Sequence, residues 1–272
     1  MNNVHDDVDV SIVLITWNIR DLLEKCLLSI YAFTPETTFE IVLVDNNSID
    51  GSKEMIKERF PRVKLIENSS NMGVASARNQ GIFIARGKYV FILDTDTELM
   101  EDSISAMFKY MEANPAVGLI GSKLVGKNRK LQYTSRRFPT LLSIIFRRLD
   151  FFPIIRQSAV LKDHMMSDWD HNSLCEVDYV IGACQFIRKS VIMSIGMYDA
   201  KIFYGPEDLD YCLRIWRSGF KVCYFPYTSI YHYEQRITKR RPFSLITIKH
   251  LYGIFYLYIK YRGKFDRNIS IV

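Results

Sequence analysis

Apolar, β-branched runs alternate with amphipathic runs along the first half of the chain. Runs such as "DVSIVLIT" and "FEIVLVD" are typical of buried strands, whereas "RDLLEKCLLSIYAF" has helical periodicity. The pattern predicts strands at 9–16, 39–45, 63–68, 88–94 and 116–125, and helices at 20–33, 51–60, 73–87 and 101–115. Because strands and helices alternate this regularly, we expect an α/β fold with a parallel, helix-covered sheet.

The second half follows a different pattern. Residues 134–157 are basic and aromatic and show no clean alternation. The patterns beyond them predict a strand at 177–189, a helix at 207–220, an extended segment at 221–233 and a basic, tyrosine-rich helix at 241–264. No repeat or low-complexity linker separates the halves, so we expect one domain whose second half completes a site.

Composition narrows the class of protein. The 272 residues are 48% hydrophobic, enough for a sizeable core, and carry a formal charge of +6, which suits an anionic substrate or surface. The five cysteines include no C-x-x-C pair, which favours a reduced, cytoplasmic protein. The N-terminus "MNNVHDDVDV" lacks the features of a signal peptide, and the apolar run "LYGIFYLYI" is far shorter than the roughly 20 residues of a membrane span.

Polar residues follow four of the predicted strands. They are "TWN" from Thr16, "DNNSIDGS" from Asp45, "NSSNMG" before "ARNQG", and "DTDTE" from Asp94. Open parallel sheets bind ligands outside the carboxyl ends of their strands. Each of these segments alone would suit a turn, but four together favour a ligand site. Because glycine-rich phosphate motifs are absent, a nucleotide diphosphate would need a divalent cation held by carboxylates.

Several short motifs, in fixed order, resemble family-two glycosyltransferases with the GT-A fold. These are "SIVLITWN", "IVLVDNNSIDGS", "NMGVASARNQGI", "YVFILDTDTEL", "VDYVIGACQFIRKSVIMSIGMYD" and "EDLDYCLRIWRSGF", which together cover about residues 9–233. The bacterial polysaccharide and rhamnosyltransferase branch is the most similar. The resemblance implies a mostly parallel, Rossmann-like sheet covered by helices on both faces.

The resemblance also implies an activity and a domain organisation. The activity is metal-dependent, inverting transfer of a sugar from dTDP-rhamnose or a UDP-sugar to a hydroxyl of a glycan or lipid-linked glycan, in cell-surface polysaccharide synthesis. The cofactor would be Mn²⁺ or Mg²⁺. The domains would be a glycosyltransferase domain at 1–235, with a nucleotide-sugar half (9–125) and an acceptor half (126–235), followed by a basic, aromatic helix at 236–272.

Donor-binding roles follow from the same resemblance. Thr16 and Trp17 would line the base pocket, Asp45 would recognise the base or ribose, and Arg78 with Asn79 would hydrogen-bond the base. Asn18, Asn47 and Thr95 complete the implied donor set, together with Asp94. For Arg78, a solvated charge on a helix surface is the structural alternative.

Asp94 and Asp96 match the D-x-D motif of that family. If the strand stayed extended, residues i and i+2 would lie about 7 Å apart, too far for both carboxylates to hold one ion at roughly 2.1 Å. We therefore expect Asp96 to be the direct metal ligand and Asp94 to contact ribose or metal-bound water. The alternative is a capping turn, since Thr97, Glu98 and Asp102 also suit a helix start.

The acceptor side is implied by two further motifs. Asp208 would be the general base that takes the proton of the acceptor hydroxyl, because a neutral sugar hydroxyl is a weak nucleophile. The sugar and acceptor pocket would be formed by Gly182, Ala183 and Glu207, while Asp210 and Arg214 would anchor the helix. His232 would be a second metal ligand, with an aromatic-strand histidine as the alternative.

The C-terminal segment is strongly basic. It contains Arg236, Lys239, Arg240, Arg241, Lys249, Lys260, Arg262, Lys264 and Arg267, interleaved with Tyr and Phe. This composition favours peripheral contact with anionic lipid on the inner face of the cell membrane. The alternative is a helix packed on the domain. No nucleic-acid-binding module accompanies it, so we expect no nucleic-acid partner.

Two other functions fit parts of the sequence. A sugar-phosphate nucleotidyltransferase would need a basic, glycine-rich loop near residues 16–25, yet "TWNIRDLLEK" has no glycine. A non-catalytic sugar- or membrane-binding module would tolerate loss of the acids, whereas Asp94, Asp96, Glu207 and Asp208 are all present.

Overall fold

A mixed ten-stranded sheet forms the centre of the computed structural model, which describes residues 8–235 and 244–267. Two short strands pair separately as a second sheet. The strands are β1 (Val10–Thr16), β2 (Phe39–Asp45), β3 (Lys64–Glu67), β4 (Tyr89–Asp94), β5 (Thr97–Leu99), β6 (Val117–Val125), β7 (Leu131–Gln132), β8 (Ser135–Arg136), β9 (Cys175–Glu176), β10 (Tyr179–Val180), β11 (Cys184–Arg188) and β12 (Lys221–His232).

Helices connect most of the strands. They are α1 (Arg20–Ala32), α2 (Ser52–Arg59), α3 (Val74–Ile84), α4 (Ser103–Ala113), α5 (Leu141–Arg148), α6 (Pro153–Arg156), α7 (Ala159–Met165), α8 (Lys189–Ile195), α9 (Glu207–Arg217) and α10 (Leu245–Lys260). The four helices predicted in the first half are present. The short helices α5 to α7 fill the region for which the sequence pattern predicted no regular element.

The order of the main sheet is β3-β2-β1-β4-β11-β6-β12-β5. Strand β1 pairs in parallel with β2 and with β4, so that Thr16 is the partner of Asp45 and Ile15 is the partner of Asp94. Strand β3 pairs in parallel with β2, with Glu67 the partner of Asp45, so all four polar strand ends lie at one edge. Strand β11 runs antiparallel between β4 and β6, so residues beyond 126 enter the same sheet.

Side chains on both faces of the sheet are buried under helices, as the fold prediction requires. Along β1, Ile12 and Leu14 pack on one face with α1 and α4, whereas Val13 packs on the other face with α3. Helix α3 lies very close to β1, because a Cβ at Gly81 would stand 2.4 Å from Cγ1 of Val13. The predicted mostly parallel, helix-covered α/β fold is confirmed.

One predicted strand is wrong. Residues 177–189 do not form a continuous strand; β10 and β11 are separated by Ile181–Ala183. The backbone N–H of Ile181 donates to the carbonyl of Thr134, and β10 pairs with β8 in the small second sheet. The break places Gly182 where Arg78 and Asp208 contact its backbone.

Helix α10 lies within the predicted C-terminal helix and packs on the domain through Thr247, Gly253 and Leu257. Its outer face is apolar and exposed, at Leu245, Ile248, Leu251, Tyr252, Phe255 and Ile259. Arg236, Lys239, Arg240 and Arg241 lie outside the described residues. Among the helices of the described ranges, none combines the length and apolar character that a membrane crossing requires.

Asp210 ties α9 to α10. Its buried carboxylate accepts hydrogen bonds from Nε of Arg214 at 2.9 Å, Nζ of Lys260 at 2.7 Å and the hydroxyl of Tyr261 at 2.6 Å. The predicted anchoring role of Asp210 and Arg214 thus has a direct structural basis.

Asp210→Ala is expected to lower the free energy of unfolding by about 3 kcal/mol, because it leaves the largely buried Arg214 without its carboxylate partner and Lys260 with Asp199 alone. The matched control is Glu36→Gln, which breaks the exposed ion pair with Lys109 and is expected to change nothing measurable. Urea denaturation of both variants measures the difference. Equal stability of the two would show that Asp210 is not an anchor.

Candidate active site

The ends of β1 and β2 carry two buried oxygen atoms without partners. Oδ1 of Asp45 accepts a hydrogen bond from the N–H of Ser48 at 2.8 Å. Oδ2 of Asp45 and Oγ1 of Thr16 have no hydrogen-bond partner among the described residues. A buried polar atom without a partner is unfavourable, so this corner is suited to a ligand that supplies hydrogen bonds.

The neighbouring loop residues shape this corner. The indole of Trp17 is 41% exposed, which leaves it free to cover a planar group. Oδ1 of Asn18 accepts from the N–H of Ile49 at 2.8 Å, which ties the first strand end to the second. Asn18 and Asn47 both have positive φ, 55° and 68°, a conformation that Asn tolerates well. Asn47 is exposed.

Arg78, on α3, lies at the centre of the site and is 2% exposed. Its Nη1 donates to Oε1 of Glu207 at 2.8 Å, while Nη2 donates to Oδ1 of Asp94 at 3.1 Å and to the carbonyl of Gly182 at 2.8 Å. Burial alone would lower the pKa of Arg78, but the charges of Glu207 and Asp94 raise it. The alternative of a solvated surface charge is wrong. Both terminal nitrogens contact protein groups, whereas the buried Nε has no hydrogen-bond partner among the described residues.

Asn79 is not brought together with the other predicted residues. Its Nδ2 donates to the carbonyl of Tyr198 at 2.8 Å, and its Oδ1 accepts from the N–H of Tyr198 at 2.9 Å. Both ends of the amide therefore hold the backbone of a neighbouring loop. Thr95 is buried, and its hydroxyl donates to the carbonyl of Ile15 at 2.8 Å.

Asp94, Asp96 and His232 form one cluster. Each offers a ligand atom, and these atoms all lie within 4.8 Å of one another. The expectation that an extended backbone keeps the two carboxylates apart is wrong, because β4 ends at Asp94 and the chain turns through Thr95 and Asp96 before β5. The capping alternative belongs instead to Asp102, whose Oδ1 accepts from the N–H of Ser105 at the start of α4.

Gln132 fixes the orientation of the His232 ring. Nε2 of Gln132 donates to the backbone carbonyl of His232 at 2.9 Å, which leaves Oε1 of Gln132 to accept from Nδ1 of His232 at 2.7 Å. With the proton on Nδ1, the lone pair of the neutral ring lies on Nε2, which is 3.4 Å from Oδ1 of Asp96. Histidine ligands in metal sites are commonly oriented by such a second hydrogen bond.

The electrostatics of this cluster are dominated by its acids. Burial lowers the pKa of His232, but the hydrogen bond to Asp96 and the charges of Asp96 and Asp94 raise it above its usual value. Partial burial raises the pKa of Asp94 to about 6, in spite of the nearby Arg78. Negative charge is therefore concentrated where a cation would relieve it.

Glu207 and Asp208 begin α9 and point to different partners. Glu207 is buried; its Oε1 accepts from Arg78, and its Oε2 has no partner among the described residues. The carboxylate of Asp208 accepts from the N–H groups of Gly182 at 3.1 Å and Leu209 at 2.8 Å. Burial, reinforced by the Glu207 charge, raises the pKa of Asp208 to about 7.

The backbone of Gly182 and Ala183 connects Asp208 to Asp94. The carbonyl of Ala183 accepts from the N–H of Asp94 at 3.0 Å. A Cβ at Gly182 would stand 2.5 Å from Nη1 of Arg78, so only glycine allows the guanidinium to lie so close.

Sequence reasoning missed Gln132, since "KLQY" matches no motif and its contact with His232 spans 100 residues.

The chain was compared with known proteins. The family description Glycosyl transferase family 2 matches residues 11–195. A Mycobacterium tuberculosis N-acetylglucosaminyl-diphospho-decaprenol L-rhamnosyltransferase is 23% identical over 266 residues, 93% of this chain and 85% of that protein. A Staphylococcus epidermidis poly-beta-1,6-N-acetyl-D-glucosamine synthase is 26% identical over 226 residues, 77% of this chain and 51% of that protein.

Solved structures share the fold. A mannosyltransferase from Pyrobaculum calidifontis in complex with GDP-Man and Mn²⁺ superposes with a TM-score of 0.62 and 18% identity, over 93% of this chain and 65% of that one. GalNAc-T7 with UDP, GalNAc and Mn²⁺ gives a TM-score of 0.64 and 18% identity, over 85% of this chain and 44% of that one. The chain thus spans less than two thirds of these structures. From the family match, which covers more than half of its length, the chain belongs to glycosyl transferase family 2 and is a glycosyltransferase with the GT-A fold.

Proposed function

We propose that the protein is a metal-dependent inverting glycosyltransferase. The donor is a nucleotide-diphosphate sugar, dTDP-rhamnose or a UDP-sugar, and the acceptor is a hydroxyl of a glycan or lipid-linked glycan in cell-surface polysaccharide synthesis. The cluster of Asp94, Asp96 and His232 is the observation that carries this proposal. A family-two chain without such a cluster would have no evident way to neutralise the diphosphate.

The donor set of this cluster fits Mn²⁺ or Mg²⁺. Carboxylate oxygens suit both ions, and the imidazole lone pair on Nε2 of His232 suits Mn²⁺ better. When bound, the ion would stabilise negative charge on the leaving diphosphate. Asp96 and His232 would hold it directly, while Asp94, held by Arg78, would orient the donor at the same point.

The corner at Thr16 and Asp45 would bind the nucleoside. Oδ2 of Asp45 would accept from an N–H or a hydroxyl of the donor, and the Thr16 hydroxyl would donate to it. Trp17 offers an exposed aromatic face on which a base could stack. Asp45 and Asp94 end β2 and β4, which lie on either side of β1 in the sheet. A separation of two strand spacings along the sheet edge suits a nucleoside diphosphate.

Asp208 would act as general base. Its carboxylate takes the proton of the acceptor hydroxyl as that oxygen forms a bond to the anomeric carbon, and the bond from this carbon to the diphosphate oxygen breaks. A single displacement of this kind inverts the anomeric centre. Glu207, buried and held by Arg78, keeps the start of α9 in place beside Gly182.

A lipid-linked acceptor agrees with the surface of the protein. Helix α10 exposes an apolar stripe that includes Ile248, Leu251 and Phe255. Basic side chains flank it at Lys249 and Lys264. We infer peripheral contact with an anionic membrane through this face.

Titration with UDP and dTDP, with and without Mn²⁺, tests the metal site. Wild-type protein is expected to bind one of these nucleotides at least tenfold more tightly with Mn²⁺. Asp96→Asn should abolish both this dependence and the activity, because it removes a direct ligand. Asp94→Asn should retain the dependence and chiefly weaken nucleotide binding. Nucleotide binding that is independent of metal in the wild type would contradict the proposal.

Asp208→Asn tests the general base. The variant is expected to bind nucleotide and Mn²⁺ as the wild type does, while transfer falls by roughly a hundredfold or more, because the amide cannot accept the proton. Single-turnover transfer is the readout. Unchanged turnover would remove Asp208 as the base.

The raised pKa of Asp208 predicts the pH dependence. Only the ionised carboxylate accepts a proton, so kcat at saturating donor and Mn²⁺ should rise about tenfold per pH unit below a midpoint near the pKa of about 7 and level off above it. A profile that is flat from about pH 5 to about pH 8 would exclude a rate-limiting role for this ionisation.

A further inference from the structure

Arg136, on β8, is a buried cation with no counterion among the described residues. It is 8% exposed, and the one hydrogen bond that its side chain makes to a described residue is from Nη1 to the carbonyl of Ser135 at 2.8 Å. No carboxylate lies within ion-pair distance of Arg136 in residues 8–235 and 244–267. Burying an unpaired charge is strongly unfavourable, so proteins keep such groups chiefly where a ligand completes them.

Two further arginines extend this positive charge towards the surface. Arg147 is partly exposed; its Nη1 donates to Sδ of Met165 at 3.4 Å and has a long contact of 3.9 Å with Asp150. Nη2 of Arg148 is buried and has no hydrogen-bond partner in the part of the chain that the structure describes. We call Arg136, Arg147 and Arg148 the arginine cluster. Burial, with the nearby Arg147 charge, lowers the pKa of Arg136 to about 10 and also lowers that of Arg148.

Neutral polar groups near Arg136 also lack partners. The hydroxyls of Thr134 and Ser135 are buried and make no side-chain hydrogen bond to a described residue, and neither does Nδ1 of His164. Burial and the charges of Arg136 and Arg147 lower the pKa of His164 to about 3, so this ring stays neutral. A guanidinium beside buried hydroxyls that lack partners is the chemistry of an anion site.

The cluster lies on the acceptor side of the general base. Arg136 pairs with Tyr179 across β8 and β10, and the chain continues within three residues to Gly182, whose N–H holds Asp208. Asp208 is close enough for its charge to act on Arg136. The donor corner at Thr16 and Asp45 belongs to other strands of the main sheet.

Apolar side chains are exposed on the helix that carries Arg147 and Arg148 and on the turn that follows it. Helix α5, which ends with Arg147 and Arg148, exposes Leu141, Leu142 and Ile145, and the following turn exposes Phe151 and Phe152. These exposed fractions range from 46% to 62%. A surface that joins buried cations to exposed apolar groups is complementary to an amphiphile with a phosphorylated head.

We propose that the arginine cluster binds the phosphate or diphosphate group of an isoprenoid-linked acceptor, whose apolar chain lies on α5 and the turn after it. This inference rests on the proposed function for the identity of the acceptor. The phosphate oxygens accept from the arginines and from the free hydroxyls. The sugar hydroxyl at the other end of the acceptor then lies towards Asp208.

The variant Arg136→Met tests this site, with Arg137→Met as the matched control. Arg137 is the adjacent residue, is exposed, and carries the same charge. Binding of farnesyl diphosphate, farnesol and inorganic pyrophosphate is measured by calorimetry. Arg136→Met is expected to lower the affinity for farnesyl diphosphate at least tenfold and to leave the weaker binding of farnesol unchanged, whereas Arg137→Met keeps wild-type affinity.

Thermal unfolding separates this role from a structural one. Removing an unpaired buried charge should leave the Tm of the unliganded protein equal or higher. A structural arginine would instead give a lower Tm and no selective loss of farnesyl diphosphate binding, and that result overturns the proposal. Equal farnesyl diphosphate affinity in both variants also overturns it.

Nucleotide binding distinguishes the possible sources of phosphate. Arg136→Met should bind UDP with Mn²⁺ as the wild type does, and UDP should not displace farnesyl diphosphate. If UDP displaces it, the cluster belongs to the donor and the acceptor assignment is wrong. Absence of Mn²⁺-dependent nucleotide binding in the wild type would contradict the proposed function, while the farnesyl diphosphate measurements still decide the anion site.

Discussion

The buried ion pairs of Arg78 hold the site together. One guanidinium contacts Asp94 at the end of β4 and Glu207 at the start of α9, residues that come from the two halves of the chain, with Glu207 129 positions away from Arg78. Asp94, Asp96, Glu207 and Asp208 bring four carboxyl groups into one site, where positive charge is favourable. Arg78 supplies one positive charge, and the proposed metal ion would supply more.

The balance of charge around each carboxylate also explains why the pKa values of neighbouring acids differ. Burial raises the pKa of both Asp94 and Asp208, but Asp94 receives a guanidinium hydrogen bond and its pKa rises only to about 6. Asp208 receives only backbone N–H groups, and burial beside the Glu207 charge raises its pKa to about 7. The arginine cluster has the opposite imbalance, with buried positive charge and no described acid in contact with Arg136. Two regions of opposite charge therefore lie near Asp208, the proposed general base, and each would be matched by one of the charged groups of the proposed donor and acceptor.

The local sequence pattern predicted the features that depend on neighbouring residues, namely the strands, the helices and the polar segments at the strand ends. The alternation of strands and helices predicted the α/β class, and the polar strand ends predicted that Thr16, Asp45 and Asp94 would lie at one edge of the sheet. The break between β10 and β11 was missed because it depends on contacts of Ile181 and Gly182 with distant residues. The convergence of Asp94 and Asp96 was missed because periodicity does not reveal where a strand turns. Gln132 and Arg136 belong to no motif, so only tertiary contacts expose their roles.

The position of β11 also constrains the order in which the protein can fold. Strands β1 to β4 pair with one another through short crossovers, so their contacts become available early. Strand β6 follows them along the chain, yet in the sheet it is separated from β4 by β11, which comes later. On a ribosome, β6 must therefore wait for residues 184–188 before its place in the sheet beside β1 to β4 exists. The part of the chain that carries Asp94 and Asp96 can take shape first, and closure of the sheet then brings Asp208 to it.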